Sequence, residues 1–138
     1  MRVILDTCVV SETVRKGGNA RVQALLESLK HEETFISAIT FGEISYGIGL
    51  LKPSRKRSEL EAFLIRLEQD YQSQILSVDL EVARAWGDTT AALQRKGKTL
   101  PIADGLIAAT AICHGLYVVT RNVKDFELAG VRVLNPWE

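Results

Sequence analysis

Apolar residues fall along this chain in two kinds of run. Val3-Ile4-Leu5, Thr34-Phe35-Ile36, residues 75–78, Tyr117-Val118-Val119 and residues 131–134 are short and nearly continuous, as strands buried on both faces are. Between them the apolar positions recur at helical spacing. Val22, Leu25, Leu26 and Leu29 follow a capping Asn19, and Ile39, Ile44, Ile48 and Leu51 follow Ser37. Leu60, Phe63, Leu64, Leu67 and Tyr71 follow Pro53-Ser54, and Val82, Trp86 and Leu93 follow Asp79. A shorter helix is expected over residues 9–15. Lys124-Asp125-Phe126 precedes the last strand and is given no element. Strands separated mostly by helices predict an α/β fold, a largely parallel five-stranded sheet with helices on both faces.

One segment stands apart. Residues 102–113, IADGLIAATAIC, are apolar or glycine except for Thr110 and Asp104. Pro101 suits the start of a helix there and Gly115 its end. A helix apolar all round is expected to be buried. A carboxylate on it must neutralise, find a partner or bind a metal. The competing reading is an Asp favoured by the helix dipole in the first turn.

Composition narrows the class without naming a chemistry. The 138 residues suit one domain spanning 1–138, with 46% hydrophobic and 25% charged residues and a formal net charge of zero. Any basic surface must therefore be local; the densest cluster is Arg55-Lys56-Arg57, with Arg95-Lys96 and Lys98 a second. No signal peptide opens the chain, and no run approaches the ~20 apolar residues of a membrane span, so a soluble cytoplasmic protein is expected. Cys8 and Cys113 have neither metal-ligand spacing nor a disulfide framework.

The acids sit where parallel sheets bind ligands, beyond the carboxyl ends of strands. Asp6-Thr7 follows the first strand, and Thr120, Asn122 and Asp125 follow the fourth. Asp104 opens the helix feeding that strand. If the two strands are neighbours, these groups meet. Glu43 either reaches back to Thr40 in a capping box or, if Ser37 is the cap, lies almost two turns in with no capping duty. Carboxylates without His or Cys are hard oxygen ligands, suited to Mg²⁺ or Mn²⁺, and repel one another unless cations are bound. Such ions activate water against a phosphodiester. Asp6 and Asp104 are the candidates for direct metal contact. Glu43 would coordinate through water or orient it, and Thr120 and Asn122 would orient ligands or substrate. His31 and His114 are read as surface or helix-end residues. Gly42, Gly47 and Gly49 weaken their helix and hint at tight packing or a partner surface.

The blocks LDTCVVSE, SAITFGEISYG, LPIADGLIAATA and TRNVKDF, in this order, resemble PIN-domain ribonuclease toxins of type II toxin–antitoxin modules, the VapC and FitB-like group. The final NPW fits the same group. The resemblance implies a PIN-like sheet of strand order 3-2-1-4-5 and Mg²⁺- or Mn²⁺-dependent endoribonuclease activity; with only local basic patches to hold phosphates, single-stranded or loop RNA is the expected substrate. It also implies a homodimer and a cognate antitoxin, with operator DNA reached only through the antitoxin. Carried over by position, the acids are Asp6, Glu43 and Asp104. The place where the family often has a fourth Asp holds Asn122; either the site runs on three carboxylates or Asp125, three residues later, substitutes, and Asp125 is the expected fourth acid. With Thr7, Thr120 and Asn122 as orienting groups, these complete the expected site. Cys8 stands where the family commonly has Asn. Two alternatives remain at this point: a metal-dependent phosphatase, which would need an Asp at position 8, and a catalytically silent PIN-like binding module.

Overall fold

The computed structural model describes residues 1–138. Its strands are β1 (Val3–Leu5), β2 (Thr34–Ser37), β3 (Ile75–Leu76), β4 (Tyr117–Val119) and β5 (Val133–Leu134). They form one parallel sheet in the order β3-β2-β1-β4-β5, as the resemblance implied. Parallel neighbours need long crossovers. These are supplied by α1 (Thr7–Val14), α2 (Ala20–Ser28), α3 (Ala38–Gly49), α4 (Arg55–Asp70), α5 (Leu80–Arg95), α6 (Ile102–His114) and α7 (Val123–Leu128).

The central strand explains the three layers. Val3 and Leu5 point into a core with Val9, Val10, Val22, Ile36 and Leu67, which come from α1, α2, β2 and α4. Ile4 points the other way, into a core with Ile107, Ala108, Ala111, Val118 and Phe126. A strand covered on both faces has no polar side, hence the unbroken Val-Ile-Leu. In register, Leu5 lies beside Ile36 of β2 and Val119 of β4. The chain builds outward from β1 through β2 to β3, then returns to add β4 and β5 on the other side. Strand order therefore reverses at β1, and the crevice opens beyond the carboxyl ends of β1 and β4.

Most helix boundaries follow local capping. Asn19, Ser37, Ser54 and Asp79 each accept a first-turn backbone N–H at the start of α2, α3, α4 and α5. Gly115 ends α6 with φ of 66°, the left-handed geometry a C-terminal glycine supplies. The expectations differ from the structure in four places. α1 starts at Thr7 rather than at residue 9, because Asp6 caps it directly. α7 was not foreseen; six residues are too few to show helical periodicity, and Phe126 alone is its buried anchor. β3 and β5 are two residues each, shorter than their apolar runs. α6 is not buried all round either. Its middle is enclosed, but Ile102 and Ile112 are 68% and 44% exposed at the two ends.

α5 packs along α6, and Gly105 lies at that contact. A Cβ there would sit 3.0 Å from both Cδ1 and Nε1 of Trp86. An indole is rigid, so the ring must move as a unit. We expect Gly105→Ala to lower the melting temperature, because overpacking of roughly 1–3 kcal/mol outweighs the ~1 kcal/mol gain in helix propensity. Gly87→Ala, inside α5 with no neighbouring atom within 4 Å, should raise it. Thermal melts of the two variants should therefore move in opposite directions.

Candidate active site

Asp6 sits one residue beyond β1. Its backbone N–H donates to the Val119 carbonyl at 2.9 Å, which extends the β1–β4 ladder and sets Asp6 beside Thr120. The side chain is only 5% exposed. Its Oδ1 accepts from the Thr7 backbone N–H at 2.8 Å, and its Oδ2 accepts from Thr120 Oγ1 at 2.7 Å and Cys8 Sγ at 3.4 Å. These donors replace the water the carboxylate gave up on burial.

Thr7 links the strand end to α3. Its hydroxyl donates to Glu43 Oε1 at 2.5 Å and stands 3.0 Å from the buried Thr40 hydroxyl. With its one proton directed at the carboxylate, Thr7 accepts from Thr40. Ser37 is the observed cap of α3, accepting from the Ile39 N–H at 3.0 Å. Glu43 therefore has no capping role, and its carboxylate is held toward the crevice by Thr7.

The other wall is organised by Asn122. Its amide group donates to Asp104 Oδ2 at 3.1 Å and to Asp125 Oδ2 at 3.0 Å. Its backbone N–H donates to Thr120 Oγ1 at 2.9 Å. A continuous network thus runs from Asp6 through Thr120 and Asn122 to Asp104 and Asp125, joining β1, β4, α6 and α7. Asp104 lies in the first turn of α6. Its carboxyl is pushed up to about 6, first by burial and then by the charges of Asp6, Glu43 and Asp125, against the opposing hydrogen bond from Asn122.

These groups surround a cleft of about 490 Å³ lined by Asp6, Thr7, Glu43, Asp104 and Asn122, together with Cys8 and Arg121. Asp125 does not line it; the fourth acid stands behind Asn122, which faces the cleft in its place. The expected metal cage is only partly formed. No three His, Cys, Asp or Glu side chains stand close enough to hold a metal ion as they lie. Thr7, Thr120 and Asn122 occupy several of the carboxylate oxygens. The donor set itself fits a hard divalent cation, being all oxygen and negative enough to raise Asp104. His31 and His114 lie elsewhere. His31 Nε2 is 2.9 Å from the Asp70 carbonyl, and His114 ends α6.

Sequence reasoning passed over two contributors. Thr40 entered only as a candidate cap, although it is fully buried against Thr7. Arg121, which lines the cleft, is absent from the expected site. Its place between Thr120 and Asn122 was the signal that it shares their loop.

The PIN domain family model matches residues 3–130. Toxin FitB of Neisseria gonorrhoeae is 40% identical, the match covering 98% of this chain and 98% of that protein. VapC ribonuclease Y4jK of Sinorhizobium fredii is 35% identical over 99% of this chain and 98% of its own length. The crystal structure of FitAcB from Neisseria gonorrhoeae superposes with a TM-score of 0.92 at 39% identity, covering 99% of both chains. A structure of FitAB bound to an IR36 DNA fragment gives 0.92 at 37%, over 99% of this chain and 96% of the other. With the sheet order, the crevice and the acids at its strand ends already in place, the chain belongs to the PIN domain family, among the VapC ribonucleases and FitB toxins.

Proposed function

We propose that this PIN domain is a divalent-metal-dependent endoribonuclease and the toxin of a toxin–antitoxin pair. The observation that carries the reading is the convergence of Asp6, Glu43 and Asp104 on one cleft, with Asp125 tied to it through Asn122. Mg²⁺ or Mn²⁺ would be held by Asp6 and Asp104, with Glu43 beside them. When bound, it would make a hydroxide available near neutral pH and offset charge developing on the phosphodiester. The chain's own residues do the rest. Thr120, Cys8 and the Thr7 N–H fix the Asp6 carboxylate in one orientation. Thr7 aims Glu43 at the cleft, where its carboxylate can accept a proton from the attacking water. Asn122 bridges Asp104 and Asp125 through its amide nitrogen. The phosphatase reading has no support from this family.

The partner reading rests on a different surface. Tyr46 and Leu50, at 71% and 70% exposed, and Ile65 at 60%, present large apolar side chains from the α3–α4 region. Gly42, Gly47 and Gly49 meet no neighbour within the chain, so internal packing does not account for them. A second copy and an antitoxin are the proposed occupants, with operator DNA reached through the antitoxin, as a FitAB–DNA structure exists among the relatives. No helix is long and apolar enough to cross a membrane, and the proposed location is the cytoplasm.

The test is cleavage of cellular RNA by the purified protein with Mg²⁺ or Mn²⁺. Cuts should map to single-stranded or loop positions, where a small cleft can reach the backbone. Expression alone should arrest growth, and co-expression of the neighbouring gene should restore it. Cleavage undiminished in excess chelator, or equal cutting of perfect duplex, would sink the reading. A monomer by light scattering at micromolar concentration would remove the dimer.

A further inference from the structure

The cleft is lined by three carboxylates and one cation, Arg121. An RNA strand carries its own negative charges into that space, so whatever cation the carboxylates hold, a phosphate beside the reacting one also needs a positive partner. Of the two basic clusters, Arg95, Lys96 and Lys98 do not line the cleft, and the arginines of the other are committed along α4. Arg55 is paired with Glu59 and Arg57 with Glu61, each at 3.2 Å along one face of α4, and Arg57 also donates to the Leu51 carbonyl at 2.7 Å. Arg121 is exposed, and none of the protein's ion pairs includes it, although acids line the same cleft.

What holds Arg121 is the C-terminal tail. Its guanidinium carbon lies 5.1 Å from the centroid of the Trp137 ring. Stacking on an indole orients a guanidinium through its face and leaves the N–H donors along its edge free for an anion. The tail is itself pinned. The Trp137 backbone N–H donates to Asn135 Oδ1 at 3.0 Å, Arg21 donates to the Trp137 carbonyl at 3.3 Å, and the indole packs at the edge of the core under β4 and β5. A flexible cation is thereby converted into a placed one at the mouth of the cleft.

We propose that Arg121, positioned by the Trp137 indole, grips a phosphate of the bound single-stranded RNA next to the scissile bond, which makes the C-terminal tail a positioning element of the site. This rests on the ribonuclease reading and adds to it the group that anchors the strand. Arg121 touches substrate, whereas Trp137 acts through Arg121.

The test is fluorescence anisotropy with a short fluorescein-labelled single-stranded RNA of mixed sequence, across a series of salt concentrations. All variants are made in an Asp6→Asn background, so that the strand is not cut. Arg121→Gln should weaken binding about tenfold, as loss of a charged hydrogen bond does. It should also flatten the plot of log affinity against log salt by about 0.7, the signature of one lost phosphate contact on a single strand. Arg121→Lys should keep the slope and lose only part of the affinity, because charge remains without the planar fork. Trp137→Ala should weaken binding roughly threefold and add nothing once Arg121 is Gln, and Trp137→Phe should restore much of the loss. If Trp137→Ala does not fold in thermal melts, Trp137→Phe and the Arg121 variants decide the matter.

An unchanged salt slope in Arg121→Gln overturns the proposal, whatever that variant does to antitoxin binding. So do Arg121 and Trp137 losses that multiply in the double variant, since the two would then act independently. A wild-type protein that neither binds nor cuts RNA overturns the ribonuclease reading and this inference together. One that cuts RNA while Arg121→Gln binds it normally overturns this inference alone.

Discussion

Asp6→Asn is expected to lower RNA cleavage on the order of a thousandfold or more, with the fold intact by circular dichroism. The change keeps the shape of the side chain and removes the negative charge on which the proposed cation depends. It also reverses the sense of a hydrogen bond on one side of the group. Both carboxylate oxygens of Asp6 receive donors, from the Thr7 N–H on one side and from Thr120 and Cys8 on the other. An amide could keep the first bond, but its NH₂ would then face the Thr120 hydroxyl, which would have to turn its proton away and accept instead of donate. The loss should appear in the rate at saturating RNA, since the group acts on the reacting atoms and not on the strand. Cys8→Asn is the natural comparison. It places the family's usual residue beside the same oxygen and should leave a working enzyme. Wild-type rates from Asp6→Asn would remove Asp6 from the site.

The second expectation concerns stability, and its sign depends on metal. Asp104 is raised from its ordinary 3.8 to about 6. Between those values the folded protein holds a proton that the unfolded chain has released. Stability from this group is therefore fully present below about pH 4 and is lost as the pH rises through 6. At pH 7.5 in EDTA, Asp104→Asn should melt higher than wild type. Because the side chain is only half-buried, solvent screening discounts the gain to about 1 kcal/mol, a few degrees in a domain of this size. The difference should vanish toward pH 4.

Mg²⁺ at 100 times its dissociation constant would stabilise the wild type by about 2.7 kcal/mol, roughly 10 °C. Asp104→Asn should gain much less, so the order of the two melting curves reverses on adding metal. A helix-dipole role for Asp104 predicts the opposite pattern, a loss of about 0.3–1 kcal/mol that ignores metal. If Asp104→Asn melts lower in EDTA and both proteins gain equally from Mg²⁺, Asp104 is not a metal ligand.

Local chemistry made much of this protein legible before any tertiary contact was known. Val3-Ile4-Leu5 announced a strand buried on both faces because a central parallel strand offers no solvent side. Asn19, Ser37, Ser54, Asp79 and Gly115 marked helix ends because capping is settled within a few residues of backbone. The candidate acids Asp6 and Asp104 could be picked out from their places at element ends, and the four ordered blocks supplied Glu43 in mid-helix, the family and the strand order.

Only the tertiary structure decided how those acids are held. Glu43 had two local explanations. Its release from capping follows from Ser37 accepting the Ile39 N–H, and its orientation from Thr7 across the gap between β1 and α3. Asn122 and Asp125 could not be ranked from their spacing; in the structure Asn122 faces the cleft and Asp125 stands behind it. The exposure of Ile102 and Ile112 depends on which neighbours reach the ends of α6, and α7 is too short to carry a period of its own. Arg121 and Trp137 lie in separate segments, and their contact exists because β4 and β5 are neighbours. The physical reason is common to all of these. Periodicity and capping are properties of contiguous backbone and are written into it directly. A site assembled from β1, α3, α6 and the loop after β4 depends on pairing register, where a slip of one residue would turn every side chain to the opposite face.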